Sequence, residues 1–348
     1  MKGKFTSERL LVDDSLEVIN NLFVEKGWCD GLPIIPPTEL AVEKMLTGTK
    51  RDPMEIVATI PPTWGEATVE KIAINSVMAG CLPEYMPIII TALEVMTEDR
   101  FRLAEIQPTT HPVAPLIVVN GPIRKKLNIN SRAGAFGPCW RANATIGRAI
   151  RLILLNIGGA FPGKFDMSTQ GQPSKYTYCI AENEEDSPWE PLHVEKGFEA
   201  STSTITVIAA ENPHNINEHV AINGEELLTS ICNSVMTMGS NNVLFQEGTP
   251  VIALCPEHAA TIAADGFSKN DVRNYIYEKS KIPLKRLYKR QIDKYYSGWD
   301  ENALIPITAH KEDLIIIVIG GTGKHSAYLP AFLPPSVTKP ITESDNDK

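Results

Sequence analysis

The chain has 348 residues, of which 43% are apolar and 7% aromatic, which is enough for one large domain or two modest ones. A net charge of −9 and a pI near 5.4 argue against nucleic acids and anionic membranes as partners, because both repel an acidic surface. The sequence has neither a long apolar run nor an apolar signal-peptide core. We therefore expect a cytoplasmic protein with no membrane association, whose six widely spaced cysteines are reduced thiols.

The first third of the sequence predicts helices separated by proline-rich loops. Residues 27–38 contain two glycines and three prolines around Trp28 and Asp30, which indicates an ordered loop. We interpret Trp28 and Asp30 as substrate-binding residues on the wall of a pocket; the alternative is a lid that packs Trp28 into the core. Residues 1–105 are predicted to form a helical, loop-rich region. Apolar spacing places a strand at 55–60 and helices at 14–25, 38–47, 67–80 and 87–96.

From Phe101 onward, short apolar runs end in polar clusters. Continuous β-branched runs are typical of a sheet covered on both faces, so residues 106–335 are predicted to be an α/β core. We predict a mostly parallel or mixed sheet covered by helices, with an N-terminal helical layer, a disordered tail at 336–348 and no fixed-period repeat. The predicted strands are 116–119, 176–180, 204–210, 251–254 and 314–319, and the predicted helices are 140–157, 224–238, 256–265 and 269–281.

Ligands of such sheets bind beyond the carboxyl ends of the strands, and candidate residues follow several predicted strands. Asn120 is a candidate for substrate binding, and Glu182 and His258 are candidates for catalysis. Glu182 begins an acidic run that is either a solvated turn or, if the side chain turns inward, a carboxyl whose raised pKa suits acid–base catalysis. Residues 320–326 fail the phosphate-loop pattern, but a glycine nest there would present Lys324 and His325 to an anion.

The helix predicted at 140–157 has an unusually polar first turn. Free N–H groups and the positive end of the helix dipole, together with Arg141 and Asn143, favour a site for a carboxylate or phosphate; the alternative is a capped core helix. Two thiols flank predicted helices. Cys139 lies at a helix N-terminus beside Arg141, which favours the thiolate, whereas Cys81 lies at a helix C-terminus, which disfavours it.

The seven histidines form no metal-binding motif such as HxH or HExxH. We therefore predict no metal site, with ligands assembled from separate strand ends as the alternative. His111, near the start of the α/β core, is a further catalytic candidate because an imidazole exchanges protons near neutral pH.

Several blocks of the sequence carry a family resemblance. They are Gly27-Trp28-Cys29-Asp30-Gly31-Leu32-Pro33, Pro36-Pro37-Thr38, Glu70-Lys71-Ile72-Ala73-Ile74-Asn75, Met78-Ala79-Gly80-Cys81, Thr110-His111-Pro112, Trp140-Arg141-Ala142-Asn143-Ala144-Thr145-Ile146-Gly147-Arg148, Glu182-Asn183-Glu184-Glu185, Ser240-Asn241-Asn242 and Gly323-Lys324-His325-Ser326. Together they resemble a largely uncharacterised prokaryotic family, over nearly the whole chain. Its members accompany small proteins with a UGSC (selenocysteine or cysteine) motif, which are similar to the selenoprotein B subunit of glycine and betaine reductases.

The resemblance implies thiol- or selenol-linked reductive chemistry with a UGSC-type partner. In the family pattern the position of Cys29 is usually Thr and that of Cys139 usually Gly, whereas Cys81 matches. The resemblance therefore favours Cys81 as the catalytic thiol, against the electrostatic preference for Cys139.

We expect an enzyme, or an enzyme subunit, that acts on a small anionic molecule. Its chemistry would be reductive cleavage of a carbon–heteroatom bond, with Cys81 as nucleophile, His111 as proton donor and Arg141 as substrate anchor. The alternatives are a metal-assisted hydrolase or lyase and a non-catalytic substrate-binding subunit. We also expect a homo-oligomer. The sequence identifies neither the substrate nor a cofactor.

Overall fold

A computed structural model describes residues 5–342. Five of its helices begin at a Ser, Thr or Asn whose side chain accepts a hydrogen bond from the first turn, which satisfies an otherwise free N–H group. The helices are α1 (Leu16–Glu25), α2 (Glu39–Leu46), α3 (Val69–Ala79), α4 (Met86–Met96), α5 (Leu103–Ile106), α6 (Ile123–Lys126), α7 (Arg141–Asn156), α8 (Leu192–Glu195), α9 (Gly224–Val235), α10 (Asn241–Phe245), α11 (Pro256–Ala264), α12 (Lys269–Lys279) and α13 (Lys289–Tyr295).

The strands form two four-stranded sheets and two short two-stranded sheets. The two-stranded sheets pair β1 with β2 and β8 with β9. The strands are β1 (Ile56–Ile60), β2 (Gly65–Thr68), β3 (Ala114–Asn120), β4 (Cys179–Ala181), β5 (Thr204–Ala210), β6 (His214–Asn217), β7 (Val251–Leu254), β8 (Ile282–Pro283), β9 (Leu304–Ile305), β10 (Ile315–Val318), β11 (His325–Leu329) and β12 (Val337–Pro340).

The two larger sheets share one plan. Sheet 1 has the order β12-β5-β3-β4, and sheet 2 has the order β6-β11-β7-β10. In each sheet one pair is parallel, β3 with β4 and β7 with β10, and the other two pairs are antiparallel. Three strands of each sheet come from one continuous stretch of the chain, 114–210 for sheet 1 and 251–329 for sheet 2. The fourth strand is exchanged: β6 follows β5 but joins sheet 2, and β12 follows β11 but joins sheet 1.

The sheets stack face to face between two helical layers. Alternate residues such as Leu116 of β3 and Val251 of β7 belong to one apolar cluster between the sheets. The intervening residue Ile117 belongs to a cluster that includes α3, α4 and α7. Ile252 belongs to a third cluster, which includes α9, α11 and α12. The predicted α/β class with a mixed sheet is therefore confirmed, in a four-layer arrangement.

The C-terminal segment differs from the expected organisation. Residues 337–340, predicted to lie in a disordered tail, form β12, because their backbone pairs with 204–207 at the free edge of sheet 1. Residues 343–348 of that predicted tail lie outside the described residues. In the region 1–105, the apolar side chains of α3 and α4 pack in the same cluster as sheet 1. No helix in the described range combines the length and apolar character that crossing a bilayer requires.

Candidate functional site

The predicted site residues lie in four separate places. Arg141 and Asn143 lie at the start of α7, but both are used to hold other backbone segments. Arg141 donates from Nε and Nη2 to Gly80 O, at 3.0 and 2.9 Å, and so caps the C-terminus of α3. Asn143 is buried, accepts from Asn130 N at 2.8 Å and donates to Asn130 O at 2.9 Å. These contacts give both residues a role in holding backbone segments, and the anion contact expected of them stays a prediction.

Cys81 follows the end of α3 and is buried, with 6% of its surface exposed. Its thiol donates to Thr145 O at 3.2 Å. Burial raises the pKa of Cys81 to about 12, although the positive charges of Arg141 and Arg148 act in the opposite direction. The catalytic role expected for Cys81 is therefore opposed by its surroundings, because a nucleophile must be accessible and readily ionised. Cys139 is exposed at a φ of 85°, a conformation that favours glycine.

The proline-rich loop places Trp28 and Asp30 in different roles. Trp28 packs edge-on against Phe23 and lines a largely apolar cavity of about 600 Å³ between the N-terminal segment, α1 and α3. Asp30 is turned away from solvent and makes two hydrogen bonds, of 2.8 and 2.9 Å, with the guanidinium of Arg148. Arg148 also donates to Pro33 O, so this ion pair holds the loop on α7. Asp30 therefore acts as a clamp on the loop.

His111 lines a second cavity, of about 370 Å³, together with Phe332. Its Nδ1 accepts from Val113 N at 3.1 Å, and its Nε2 lies 3.0 Å from Glu211 Oε1. Since a ring nitrogen that accepts carries no proton, Nε2 is the protonated atom and donates to Glu211. Both ring nitrogens of the predicted proton donor His111 thus have partners within the protein.

At the end of sheet 1 where β3 and β4 terminate, Asn120 and Glu182 contact each other in the interior. Asn120 donates to Glu182 Oε2 at 2.6 Å, and Leu192 N donates to the same oxygen at 2.8 Å. Glu182 is completely buried, and this burial raises its pKa, as the sequence predicted for an inward-turned carboxyl. Within residues 5–342, Glu182 Oε1 and Asn120 Oδ1 have no hydrogen-bond partner. Neither residue faces either cavity.

Arg124 closes this end of sheet 1. Its buried guanidinium contacts Glu184 at 2.8 Å and Glu185 at 2.5 and 2.8 Å. The hydrogen bonds from Arg124 lower the pKa of Glu185 to about 2. Glu184 also accepts from Asn120 and from Gly121 N, at 3.1 and 2.7 Å. We call Asn120, Arg124, Glu182 and Glu184 the buried acid network; Glu185 lies at its exposed rim.

At the end of sheet 2 where β7 and β10 terminate, His258 is held by two hydrogen bonds. Its Nε2 donates to Glu218 O at 2.9 Å, and its Nδ1 lies 2.8 Å from Ser326 Oγ. Ser326 Oγ also accepts from Cys255 N at 3.0 Å. Burial lowers the pKa of His258 and favours the neutral ring. Although predicted to be catalytic, His258 is buried and joins β11 to the start of α11.

Beside His258, two exposed histidines from separate strands face each other. His325 begins β11, and His219 lies two residues beyond the end of β6, with their Nε2 atoms 3.3 Å apart. His325 Nδ1 lies 3.1 Å from Asn215 Oδ1. Lys324 Nζ donates to His219 O at 3.4 Å. We call His219, Lys324 and His325 the histidine site; it lies at the strand-end edge where the sequence predicted a ligand.

Two carboxylates near the histidine site are occupied by the protein itself. Glu218 accepts from Val220 N, Ala221 N and Ser230 Oγ, which lowers its pKa to about 2. Glu257 accepts from Gly323 N at 2.8 Å. An N–H group of the glycine loop that was predicted to bind an anionic ligand is therefore bonded to a carboxylate of the protein. Within the described part of the chain, no group of three or more His, Cys, Asp or Glu could hold a metal ion.

The sequence analysis identified Lys324 and His325 but missed His219 and Asn215. Asn215 pairs with Ala327, and Asn217 pairs with His325, in the antiparallel register of β6 and β11. The overlooked pattern is the short strand β6, in which only Ile216 is buried. The exposed Asn215 lies within this strand, and the exposed His219 lies just beyond it. Without the register, nothing in the sequence connects His219 with a residue more than a hundred positions away.

No family model and no curated protein matches this chain. The α/β architecture alone does not indicate an activity, because one fold hosts many unrelated functions. The chemistry of the strand-end residues is therefore the basis for assigning a function.

Proposed function

We propose that this chain is an enzyme, or an enzyme subunit, that acts on a small anionic molecule at the histidine site. The observation that carries the proposal is the meeting of two imidazoles and an ammonium group at an exposed edge of sheet 2. Lys324 supplies the fixed positive charge that attracts a carboxylate or phosphate. His219 and His325 supply imidazoles, the side chain used most often for general acid–base catalysis.

The hydrogen bond to Asn215 gives His325 a defined tautomer. Because the amide oxygen of Asn215 can only accept, Nδ1 of His325 carries the proton and Nε2 holds a lone pair. An imidazole with its lone pair directed toward an exposed site is suited to act as a general base. His219 lies within reach of the same position and is suited to return the proton to a leaving group.

The test is anion binding by variants of Lys324. Inorganic phosphate and acetate are titrated calorimetrically into the metal-free protein. Loss of one charge-assisted hydrogen bond costs about 1.5–3 kcal/mol, so Lys324→Met should weaken binding about tenfold or more. Lys311→Met removes an exposed ammonium elsewhere and should leave the affinity unchanged. Equal affinities in the two variants would place the anion away from the histidine site.

The burial of Cys81 favours a second candidate function. In it, this chain holds the substrate, and a UGSC-type partner supplies the thiol or selenol that is oxidised as a carbon–heteroatom bond is cleaved. The support is that Cys81 is buried and has a raised pKa, so the soft nucleophile of such a reaction would come from outside this chain.

Alkylation distinguishes a nucleophile supplied by Cys81 of this chain from one supplied by the partner. In the native protein iodoacetamide should modify the exposed Cys139 rapidly and Cys81 only after unfolding, with buried Cys179 as the matched slow control. Peptide mass spectrometry measures each rate. Cys81→Ser should then retain turnover when the partner is present. A folded Cys81→Ser variant without turnover would return the nucleophile to this chain.

A further inference from the structure

We propose that His219 and His325 together bind a divalent transition-metal ion of the Zn²⁺ class between their Nε2 atoms. This adds a cofactor to the histidine site and rests on the proposed function only for the anion, because the ion would take the Nε2 lone pair of His325 that serves as the general base in the metal-free form. Imidazole nitrogen is a preferred ligand of such ions. Two histidines from adjacent strands would occupy two coordination positions and leave the others open to water or an anion.

The separation of the two rings fits a shared ion. Two Zn–N bonds of about 2.05 Å at a tetrahedral angle place the nitrogens about 3.3 Å apart and the ring centroids about 5.2 Å apart. The Nε2 atoms of His219 and His325 are 3.3 Å apart, and their ring centroids are 5.1 Å apart with the planes at 74°. A straight N–H···N hydrogen bond of the same length would put the centroids about 5.6 Å apart. Both distances therefore agree with two lone pairs directed at one point.

Asn215 prepares His325 as a ligand. Metal-binding histidines commonly donate their second ring N–H to an oxygen, which fixes the tautomer and the ring orientation. Nδ1 of His325 lies 3.1 Å from the amide oxygen of Asn215 in this way. The lone pair of Nε2 is then directed toward His219.

The backbone around the pair is fixed before any ion binds. Asn217 pairs with His325 in the ladder of β6 and β11, and Glu218 N donates to Lys324 O at 3.4 Å. The buried ring of His258 donates to Glu218 O, immediately before His219. Because three hydrogen-bonded connections join the two short segments, the ligands are preorganised and little entropy is lost when an ion binds.

The charges near the site explain what the ion would add. Glu257 accepts from Gly323 N, next to Lys324, and the charges of Glu218, Glu257 and Lys324 all act on His258. A divalent cation between the histidines would add positive charge to this mixed environment. An anion would then bind at an open coordination position while Lys324 contacts its other oxygens.

The experiment is calorimetric titration of Zn²⁺ alone into the chelator-treated full chain at pH 7.5. We expect one ion per chain, with affinity reduced at least tenfold in both His219→Ala and His325→Ala. Asn215→Ala should weaken binding about tenfold through the loss of orientation. The matched control is His310→Ala, which removes another exposed histidine and should bind as the unmodified chain does. Circular dichroism verifies that each variant is folded.

The proposal is overturned if Zn²⁺ shows no saturable binding, or if His219→Ala and His325→Ala bind it as tightly as His310→Ala. Substitution with Co²⁺ provides a second measurement, since a four-coordinate site gives a strong visible absorption that both variants should lose. Acetate titrated with and without Zn²⁺ separates the two proposals. Zn²⁺ bound by the histidines without acetate binding in either state supports the metal site and contradicts the anion site; acetate bound without any Zn²⁺ site does the reverse.

Discussion

The carboxyl ends of β3 and β7 have the same local plan and opposite chemistry. Each strand is followed within two residues by a proline, Pro122 or Pro256, and then by a helix. Arg124 and His258 occupy the same position, two residues beyond the proline. In both sheets a serine hydroxyl accepts a backbone N–H group at this turn, from Ile123 in sheet 1 and from Cys255 in sheet 2.

The two strand ends differ in whether their polar groups are paired with charged partners or with neutral ones. In sheet 1, the buried Arg124 binds the half-buried Glu184 and the exposed Glu185 and covers the strand ends with paired charges. In sheet 2, His258 is neutral and forms a short hydrogen-bond chain, and His219 and His325 are exposed beside it. The same backbone plan is therefore covered by ion pairs in one sheet and leaves two imidazoles exposed in the other.

Removal of Arg124 should break the sealed end with the largest effect. Arg124→Met leaves the half-buried Glu184 without its cation, while the exposed Glu185 keeps Lys125 at 2.7 Å. Removing one partner of the buried Arg124–Glu184 pair costs about 3–5 kcal/mol. Urea denaturation monitored by circular dichroism measures the free energy of unfolding. Arg132→Met removes an exposed guanidinium 3.6 Å from Asp186 and should cost less than about 1 kcal/mol. Similar losses in the two variants would mean that the buried acid network does not stabilise this end.

Removal of His258 should have a smaller effect, because its hydrogen bonds are between neutral groups. His258→Ala leaves Ser326 without its acceptor and Glu218 O without its donor, at a cost of about 1–3 kcal/mol. The same denaturation assay applies. A loss equal to that of Arg124→Met would remove the proposed contrast between the two ends. Retention of Zn²⁺ stoichiometry by the variant would show that His258 only supports the histidine site.

The two ends should also differ in the sign of their pH dependence. The pKa of His258 is lowered from 6.5 on folding, so its contribution to stability is complete above pH 6.5 and is lost as the pH falls. The destabilisation caused by His258→Ala should therefore shrink below pH 6.5, with a slope of at most about 1.4 kcal/mol per pH unit. Unfolding measured at pH 5.5, 6.5 and 7.5 detects it. A constant difference across this range would contradict the lowered pKa.

The smallest expected effect is a gain in stability at Glu182. Its pKa is raised from 4.5, so the ionised form destabilises the fold as the pH rises above that value. Glu182→Gln keeps the shape and removes the charge, and its amide oxygen can accept from Asn120 and Leu192 N as Oε2 does. We expect up to about 1 kcal/mol of added stability at pH 7.5 and none at pH 4. Glu182→Ala, which removes the acceptor, should instead lose stability at both values.

The sequence predicted most helices and the buried strands, because apolar periodicity reports burial directly. It did not predict β6, β11 or β12. These strands are antiparallel and short and have several exposed residues, so they lack the continuous apolar runs of β3 and β5. Two prolines, Pro213 next to β6 and Pro330 next to β11, also favour turns, so the sequence pattern there does not indicate strands.

The surroundings of a site residue could be predicted where its position in the chain decides whether it is buried. Glu182 comes directly after a buried strand, and this position is consistent with a buried carboxyl. Arg141 and Asn143 have the composition of an anion site, but their hydrogen bonds go to Gly80 and Asn130. Such partners depend on tertiary packing and leave no local pattern in the sequence. The pairing of His219 with His325 depends on strand register for the same reason.

The exchange of edge strands between the two sheets has a consequence for synthesis. Sheet 1 takes three strands from residues 114–210, yet its edge beside β5 stays open until β12, at 337–340, leaves the ribosome. During that interval β5 presents unpaired N–H and C=O groups along a buried, apolar strand, which another nascent chain can join. Slow translation of the second half should therefore increase aggregation, and a separately produced fragment of residues 1–210 should require a supplied β12 peptide to remain in solution.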